Sequence, residues 1–190
     1  MDTIIRSVYV NDLTGNDVQL LTRGKAVVRL YKDLLKFNNI IDALGTNGQM
    51  VLLFPVASDT SGHWVSIISY PNTKTILHAD SYGFSWQQEL GYTDNNYVKQ
   101  NLLGNLYNKA KSDGYNVIYS PYKFQKLANG INTCGRHASI RCRFHYLNIH
   151  EYARLMMGQQ LSPDWIVTCL SFIAIFDDAS DEEQIIRILK

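Results

Sequence analysis

Cysteine, histidine and aspartate can together perform nucleophilic chemistry, and this chain carries one candidate of each in three separate segments. Cys134 opens a segment in which small or apolar residues recur at every fourth position, at Ala138, Cys142 and Tyr146. This spacing is that of one face of a helix. A thiol at the start of a helix faces unpaired backbone amides and the positive end of the helix dipole, and both favour the thiolate. The pattern therefore predicts that Cys134 is a nucleophile.

The neighbours of Cys134 fit this interpretation. Either Asn132 or Thr133 is expected to cap the helix, because each side chain can accept a hydrogen bond from a free amide of the first turn. Gly135 has no side chain, so an attacked carbonyl group can approach the backbone closely. The segment thus predicts a loop that ends in a reactive cysteine.

A thiolate needs a base, and His63 with Asp80 is the pair that the sequence offers. Residues 63–70 and 75–80 are rich in β-branched and aromatic side chains and are joined by a four-residue turn, which predicts a hairpin. The start of one antiparallel strand lies beside the end of its partner, so we expect the imidazole and the carboxylate to meet. A carboxylate on one ring nitrogen leaves the other to take a proton from a thiol.

Each of the three residues also has a purely structural interpretation. A single histidine at a strand start usually has no catalytic role, Asp80 could cap the following loop, and a buried free cysteine usually behaves as a small apolar side chain. Three local contexts together favour catalysis: Gly-His-Trp at 62–64, Asp-Ser at 80–81 and Thr-Cys-Gly at 133–135.

The remaining segments predict an α+β fold. The chain has 190 residues, of which 46% are hydrophobic, so we expect one domain over residues 1–190 with a substantial core. Further strands are predicted at 50–56 and 115–119 and a short one at 8–10; helices are predicted at 14–23 and 25–44, within 85–114, from residue 134, from residue 162 and at 180–189. We expect a small, mostly antiparallel central sheet flanked by helices.

Composition also predicts where the protein acts. Its net charge is +1 and its three cysteines, an odd number, do not suggest a disulfide framework. A reducing compartment fits such free thiols. No N-terminal segment is typical of a signal peptide, and the longest apolar run, residues 165–176, is too short to span a bilayer. We expect an intracellular protein that does not insert into membranes.

The three blocks, in the order His, acid, Cys, resemble those of the adenovirus maturation protease and the SUMO-specific proteases. The resemblance covers about half of the chain, residues 50–146. It implies a cysteine endopeptidase with a papain-like site in rearranged order, and Trp64 packed beside the imidazole. It also implies a glutamine that donates to the oxyanion. Gln125 lies nine positions before Cys134, somewhat farther than in the family, and the backbone amide of Cys134 would be the other donor.

The resemblance implies a substrate class as well. Because the chain carries little beyond the predicted catalytic domain, a viral maturation protease is favoured, which would cleave capsid or core precursors at small-residue sites and be packaged in the virion. The alternatives are removal of ubiquitin-like modifiers such as SUMO, and an inactive binding module of the same fold. No cofactor is required, but the resemblance implies DNA or a peptide as activator. Arg136, Arg141 and Arg143, with Lys123 and Lys126 just upstream, allow DNA binding, although a solvated helix face is the more common explanation of such a cluster.

Two further arrangements compete with this interpretation. The Cys-x-x-His pairs at 134–137 and 142–145 suggest zinc, but on one helix Cys134 and His145 are separated by about 16 Å along the axis, too far to share an ion. No Gly or Pro after Gly135 turns the segment, so we expect no metal. His137 is a second possible base, but it shares the helix with Cys134 and the sequence shows no obvious carboxylate for it.

Overall fold

Hydrogen bonds join five strands into one sheet in the computed structural model, which describes residues 11–93 and 96–176. The strands are β1 (Val27–Leu30), β2 (Gln49–Ser58), β3 (Ser61–Tyr70), β4 (Thr75–Ala79) and β5 (Asn116–Tyr119). The α-helices are α1 (Gly15–Leu21), α2 (Ile40–Ala43), α3 (Trp86–Glu89), α4 (Asn96–Lys99), α5 (Leu102–Ser112), α6 (Cys134–Arg143), α7 (Ile149–Met157) and α8 (Pro163–Phe176). Short 3₁₀ helices lie at Tyr31–Lys36, Pro71–Thr73 and Leu90–Tyr92. The predicted α+β class is confirmed.

The sheet has the order β1-β2-β3-β4-β5 and is mixed, not mostly antiparallel. β3 runs antiparallel to β2 and β4, as predicted for the hairpin, but β1 is parallel to β2 and β5 is parallel to β4. Short turns join the three inner strands. Longer connections that contain helices lead from β1 to β2 and from β4 to β5, and such crossovers allow parallel pairing.

The helix predicted over residues 25–44 is wrong. Its first part forms β1, its middle forms a 3₁₀ helix, and only its last part is α-helical, as α2. Val27 and Val28 are β-branched and favour a strand, and β2 supplies the backbone partner that helical spacing could not reveal. Asn39 caps α2 by accepting the backbone N–H of Ile41 at 2.9 Å.

The helices predicted from residues 14 and 162 are confirmed, and Thr14 and Ser162 cap them. The Thr14 hydroxyl accepts the backbone N–H of Asp17 at 3.3 Å, and the Asp17 carboxylate accepts the backbone N–H of Thr14 at 2.8 Å. Ser162 accepts the backbone N–H of Trp165 at 3.3 Å. The starts of both helices therefore follow local capping rules that can be recognised in a sequence.

Two other helical regions differ from the prediction. The described residues between 85 and 114 include α3, a 3₁₀ helix, α4 and α5, and Asn101 with φ of 53° marks one of the breaks. α7 was not predicted, although Asn148 and Glu151 form a capping box at its start. The elements predicted at 8–10 and 180–189 lie outside the described residues.

Both faces of the sheet are buried. α2 and α5 cover one face and α6 covers the other, and β2 supplies core residues to both. The residues of β2 and β3 on the first face are Met50, Leu52, Phe54, Val65 and Ile67; on the second they are Val51, Leu53, Trp64 and Ile68. None of the described helices combines the length and the apolar character needed to cross a membrane.

Gly62 provides a test of the backbone geometry immediately before His63. A Cβ atom at position 62 would lie 2.0 Å from the carbonyl oxygen of Phe54 on β2, so Gly62→Ala must separate the strands or distort β3. We expect the free energy of unfolding to fall by about 2 kcal/mol in urea denaturation. At Gly91 an added Cβ meets nothing within 4 Å, so Gly91→Ala is the control, with a change within about 0.5 kcal/mol. Equal stability of the two variants would contradict this close approach of β2 and β3.

Candidate active site

His63 and Asp80 meet at the end of the sheet, as the hairpin predicted. Pairing of β3 with β4 ends at Ser66 and Ala79, and beyond it His63 Nε2 lies 2.7 Å from Asp80 Oδ2. The His63 side chain is 15% exposed, whereas that of Asp80 is fully buried. Because Nε2 faces the carboxylate, Nδ1 is the ring nitrogen left for another partner.

The Asp80 carboxylate keeps its charge in spite of its burial. Its Oδ2 faces His63, and its Oδ1 accepts the backbone N–H of Tyr82. Burial alone would raise the pKa of Asp80, but the charge of His63 and its hydrogen bond outweigh this effect and lower the pKa below its ordinary value. The carboxylate can therefore orient the imidazole and stabilise the imidazolium ion.

Cys134 is the first residue of α6, and the residue as a whole is partly exposed. His63 and the backbone N–H groups of Trp64 and Gly135 act on the sulfur as donors that favour its charged form. Burial alone would raise the pKa of the thiol, but these contacts lower it. Burial alone would lower the pKa of His63, but the charges and hydrogen bonds of Asp80 and Cys134 raise it well above its usual value. Both shifts favour a thiolate–imidazolium pair.

The predicted capping of α6 is wrong in its detail. Thr133 occupies the N-cap position, but its hydroxyl donates to Asp164 Oδ1 at 2.5 Å instead of capping the helix. Of the first-turn amides, that of Gly135 points to the Cys134 sulfur. The helix start thus supplies one donor at the position at which a negative charge would form.

The ring stacked on the imidazole belongs to Tyr82, whereas Trp64 was expected there. The centroids of His63 and Tyr82 are 4.9 Å apart and their planes meet at 21°. Successive residues of a strand point to opposite faces, so the Trp64 indole lies on the side of α6 and donates to the carbonyl of Leu13 at 3.1 Å. A Cβ at Gly135 would lie 3.1 Å from the side chain of Leu13 and 3.1 Å from that of Trp64. Gly135 therefore allows close packing at the helix start.

Gln125 lines the same cleft as Cys134 and is held at both ends of its amide group. Its Oε1 accepts the Ser81 hydroxyl at 2.7 Å, and its Nε2 donates to the carbonyl of Ile131 at 3.0 Å. Its backbone N–H also donates to the Ser81 carbonyl at 2.9 Å. Since an amide nitrogen carries two hydrogens, one N–H is left for an oxygen atom in the cleft.

Two clefts meet at Cys134. One has a volume of about 430 Å³ and includes Leu13, Val28 and Trp64 in its wall. The other has a volume of about 410 Å³ and is lined by His63, Gln125 and a group of apolar side chains. These apolar residues are Phe54, Val56, Phe84, Tyr92, Leu127 and Ile131. An extended chain that passes from one cleft to the other would cross the thiol.

Asp164 connects the loop before Cys134 to α8, a role that sequence reasoning missed. Its Oδ2 accepts the backbone N–H of Lys126 at 2.9 Å, and its Oδ1 accepts the Thr133 hydroxyl. Lys126 follows Gln125 and Thr133 precedes Cys134, so one carboxylate fixes the loop near both residues. The only sequence signal was an acidic residue in the first turn of a helix, which is too common to reveal this contact.

His137 has a carboxylate partner that the sequence did not reveal, which corrects the expectation that it had none. Its Nε2 lies 3.0 Å from Asp164 Oδ1, and its side chain is 4% exposed. This pair lies between α6 and α8. The imidazole that contacts the Cys134 thiol is that of His63.

The zinc alternative required a turn within residues 134–145, but Cys134–Arg143 forms one continuous helix. Within residues 11–93 and 96–176, no three His, Cys, Asp or Glu side chains are grouped so that they could hold a metal ion.

Two of the three arginines that suggested a basic face are inside the protein. Arg136 and Arg141 are 2% and 4% exposed. Arg136 Nη1 donates to the carbonyl of Asn11 at 3.0 Å, and Arg141 Nη1 donates to that of Phe144 at 2.6 Å. A DNA-binding surface near α6 would therefore have to use other cations.

The fold and the site define an α+β protein in which a thiol, an imidazole and a carboxylate converge at the end of a mixed sheet. No protein-family model matches the chain. The Sputnik virophage protein named "Uncharacterized protein V9" is 31% identical over 172 residues, which cover 84% of this chain and 93% of the virophage protein. The chain belongs to the family of this virophage protein.

The lowered pKa of Cys134 predicts alkylation by iodoacetamide at a pH at which ordinary thiols are inert. Burial raises the pKa of Cys142 to about 12 and also raises that of Cys169. At pH 6 we therefore expect Cys134 to react at least about tenfold faster than Cys169, as measured by mass spectrometry of the separate peptides.

The pH profile of this alkylation identifies the role of His63. The thiolate is present above the lowered pKa of Cys134, and the His63 proton is lost only as the pH rises through the raised pKa of His63. His63→Ala should remove the reactivity at pH 6 and leave a rise near the ordinary thiol pKa of about 8.5. His150→Ala changes an exposed histidine bonded to Tyr122 and should behave as wild type. Unchanged reactivity in His63→Ala would contradict the pairing of His63 with Cys134.

Asp164→Asn tests the contacts that hold the loop. Burial alone would raise the pKa of Asp164, but its bonds to His137, Thr133 and Lys126 lower it. Its contribution to stability is therefore present above the ordinary aspartate pKa and is lost as the pH falls through the lowered value. We expect the free energy of unfolding of Asp164→Asn to be about 2 kcal/mol lower than that of the wild-type protein at pH 7, as measured by urea denaturation. Near pH 3 the difference between the two proteins should be smaller.

The control for this substitution is Asp113→Asn, which removes the charge of an exposed partner of Lys109. We expect it to change stability by less than about 0.5 kcal/mol. If both variants were equally stable at pH 7, the Asp164 contacts would not hold the loop.

Proposed function

We propose that this protein is a cysteine endopeptidase in which Cys134 is the nucleophile, His63 is the general base and acid, and Asp80 orients His63. The observation that carries the proposal is the series of contacts from the Asp80 carboxylate through His63 to the Cys134 sulfur. The two clefts that meet at this sulfur support binding of an extended peptide.

In the proposed reaction His63 holds the Cys134 proton, and the thiolate attacks the carbonyl carbon of the scissile peptide bond. The His63 imidazolium then protonates the leaving amine as the tetrahedral intermediate collapses to a thioester. His63 next takes a proton from water, which attacks the thioester and releases the acid product and the thiol. Asp80 keeps its charge throughout and stabilises each imidazolium that forms.

The oxyanion of the tetrahedral intermediates requires donors that point to it before the reaction. Gln125 is the proposed side-chain donor, because its amide is fixed by Ser81 and Ile131 and keeps one N–H for a ligand. The backbone amide of Cys134 at the start of α6 is the proposed second donor. Ser81, which holds Gln125, directly follows Asp80 in the chain, so adjacent residues supply the acid and fix the oxyanion donor.

The proposed substrates are viral capsid or core precursors cleaved at small-residue sites such as Gly-Gly or Gly-Ala. The family relationship to a virophage protein supports a viral role. The free thiols of the described cysteines suit a reducing host compartment, and packaging in the virion belongs to the same proposal. Removal of ubiquitin-like modifiers is the alternative substrate class.

The proposal predicts loss of cleavage in two variants. Cys134→Ala should abolish hydrolysis of a fluorogenic peptide with a Gly-Gly site, and Gln125→Ala should lower kcat by about 100-fold because one oxyanion donor is lost. Gln100→Ala, at an exposed residue remote from the clefts, is the control for Gln125→Ala. Cleavage by Cys134→Ala at the wild-type rate would overturn the proposed mechanism.

A substrate panel separates the candidate classes. Viral precursor proteins, SUMO fused to a fluorophore and ubiquitin fused to a fluorophore are incubated with the wild-type protein and with Cys134→Ala, each with and without DNA. Cys134-dependent cleavage of the precursors supports maturation, whereas cleavage of the fusions alone supports removal of modifiers. If no substrate is cleaved while peptides bind the clefts, the protein is a binding module. DNA stimulation should decline as the salt concentration rises.

A further inference from the structure

A second buried carboxyl group lies directly behind Asp80. Glu89 on α3 is 4% exposed, and its Oε1 lies 2.9 Å from His78 Nε2. Among the described residues its other oxygen, Oε2, is buried and receives no N–H or O–H group. Glu89 lines the same cleft as His63 and Cys134, and a side-chain hydrogen bond from Glu89 is one of the effects that lower the pKa of Asp80. The two acids therefore share a space from which water is largely excluded.

Such a contact between two carboxyl groups requires a proton. Ionised carboxylates are acceptors only, and two of them side by side repel each other, whereas a protonated carboxyl group donates through its O–H. Asp80 already faces two donors, His63 and the backbone N–H of Tyr82. Those contacts favour its charged form, so the proton belongs on Glu89. In agreement, burial raises the pKa of Glu89 to about 7.

The surroundings of Glu89 fix its position as well as its protonation. His78 is fully buried, and its second ring nitrogen, Nδ1, lies 3.1 Å from the hydroxyl of Tyr107 on α5. The carboxyl group therefore lies between a histidine held by α5 and the acid that faces His63. The titratable groups that act on Glu89 or on which it acts are His78, Asp80, His63, Tyr107 and Tyr31.

We propose that Glu89, in its protonated form, is a positioning residue of this site: it donates a hydrogen bond to Asp80 and so fixes the acceptor that orients His63. This inference rests on the proposed function of Asp80 and His63. Glu89 acts through Asp80 and not on the reacting atoms. When Glu89 ionises, the donor is lost and two negative charges face each other, so the reactivity of Cys134 depends on the titration of Glu89.

The test uses two variants of nearly equal size. Glu89→Gln keeps an N–H donor at every pH, whereas Glu89→Met has no donor at all. The readout is the alkylation rate of Cys134 by iodoacetamide, followed by mass spectrometry of its peptide. At pH 6 we expect Glu89→Gln to react at least about tenfold faster than Glu89→Met, because only the amide can hold Asp80.

The pH profile distinguishes this role from a purely structural one. The ratio of the Glu89→Gln rate to the wild-type rate should change by at least about threefold between pH 6 and pH 8.5, with its midpoint near the pKa of Glu89, about 7. Glu151→Gln, at an exposed helix-capping residue, should give a constant ratio. If Glu89→Met does not fold, the Glu89→Gln ratio alone decides.

Two results would overturn the inference: equal rates for the two Glu89 variants at pH 6, or a Glu89→Gln ratio that is constant with pH. Neither measurement requires peptidase activity. If cleavage does not depend on Cys134, the proposed function is wrong, but the alkylation profile still reports the effect of Glu89. A constant ratio in a Cys134-dependent peptidase would remove only the positioning role of Glu89.

Discussion

The negative charge of Asp80 at the buried end of the β3–β4 hairpin is the feature on which the site depends. A buried carboxylate is costly unless donors or an opposite charge surround it. Here His63 and a backbone amide face its two oxygens. The same charge raises the pKa of His63, and the charge and hydrogen bond of His63 in turn lower the pKa of the Cys134 thiol. The lowered pKa of the thiol thus depends on an acid that acts through His63.

Separate parts of the fold hold the members of this chain of contacts. The hairpin brings His63 to Asp80, and α6 lies against β3 with its first residue at the imidazole. Ser81 fixes Gln125 on one side of the loop, and Asp164 fixes the residues next to Gln125 and Cys134 on the other. Rigid elements and buried hydrogen bonds therefore determine the geometry, as the proposed reaction, with its narrow distance requirements, would demand.

Elements whose signals are local were predictable. The strands of the β2–β3–β4 core, the turn between β3 and β4, and the start of α8 each follow from patterns within about ten residues. The meeting of His63 and Asp80 followed from the hairpin alone. The helix predicted over 25–44 failed because the pairing of Val27–Leu30 with β2 outweighed a weak helical spacing. The prediction of a mostly antiparallel sheet also failed, because crossover connections carry no signal in their sequence for the orientation of the strands that they join.

The sequence by itself determined which residues could do chemistry and in what order they occur, because strand alternation, hairpin turns and helix starts are local properties of the chain. Only the tertiary structure decided what surrounds them. The stacking of Tyr82 on His63, the burial of Arg136 and Arg141, and the carboxyl groups of Glu89 and Asp164 beside the site depend mainly on contacts between residues brought together by the fold. Such contacts leave no periodic pattern, since each is set by how helices and strands pack across the core.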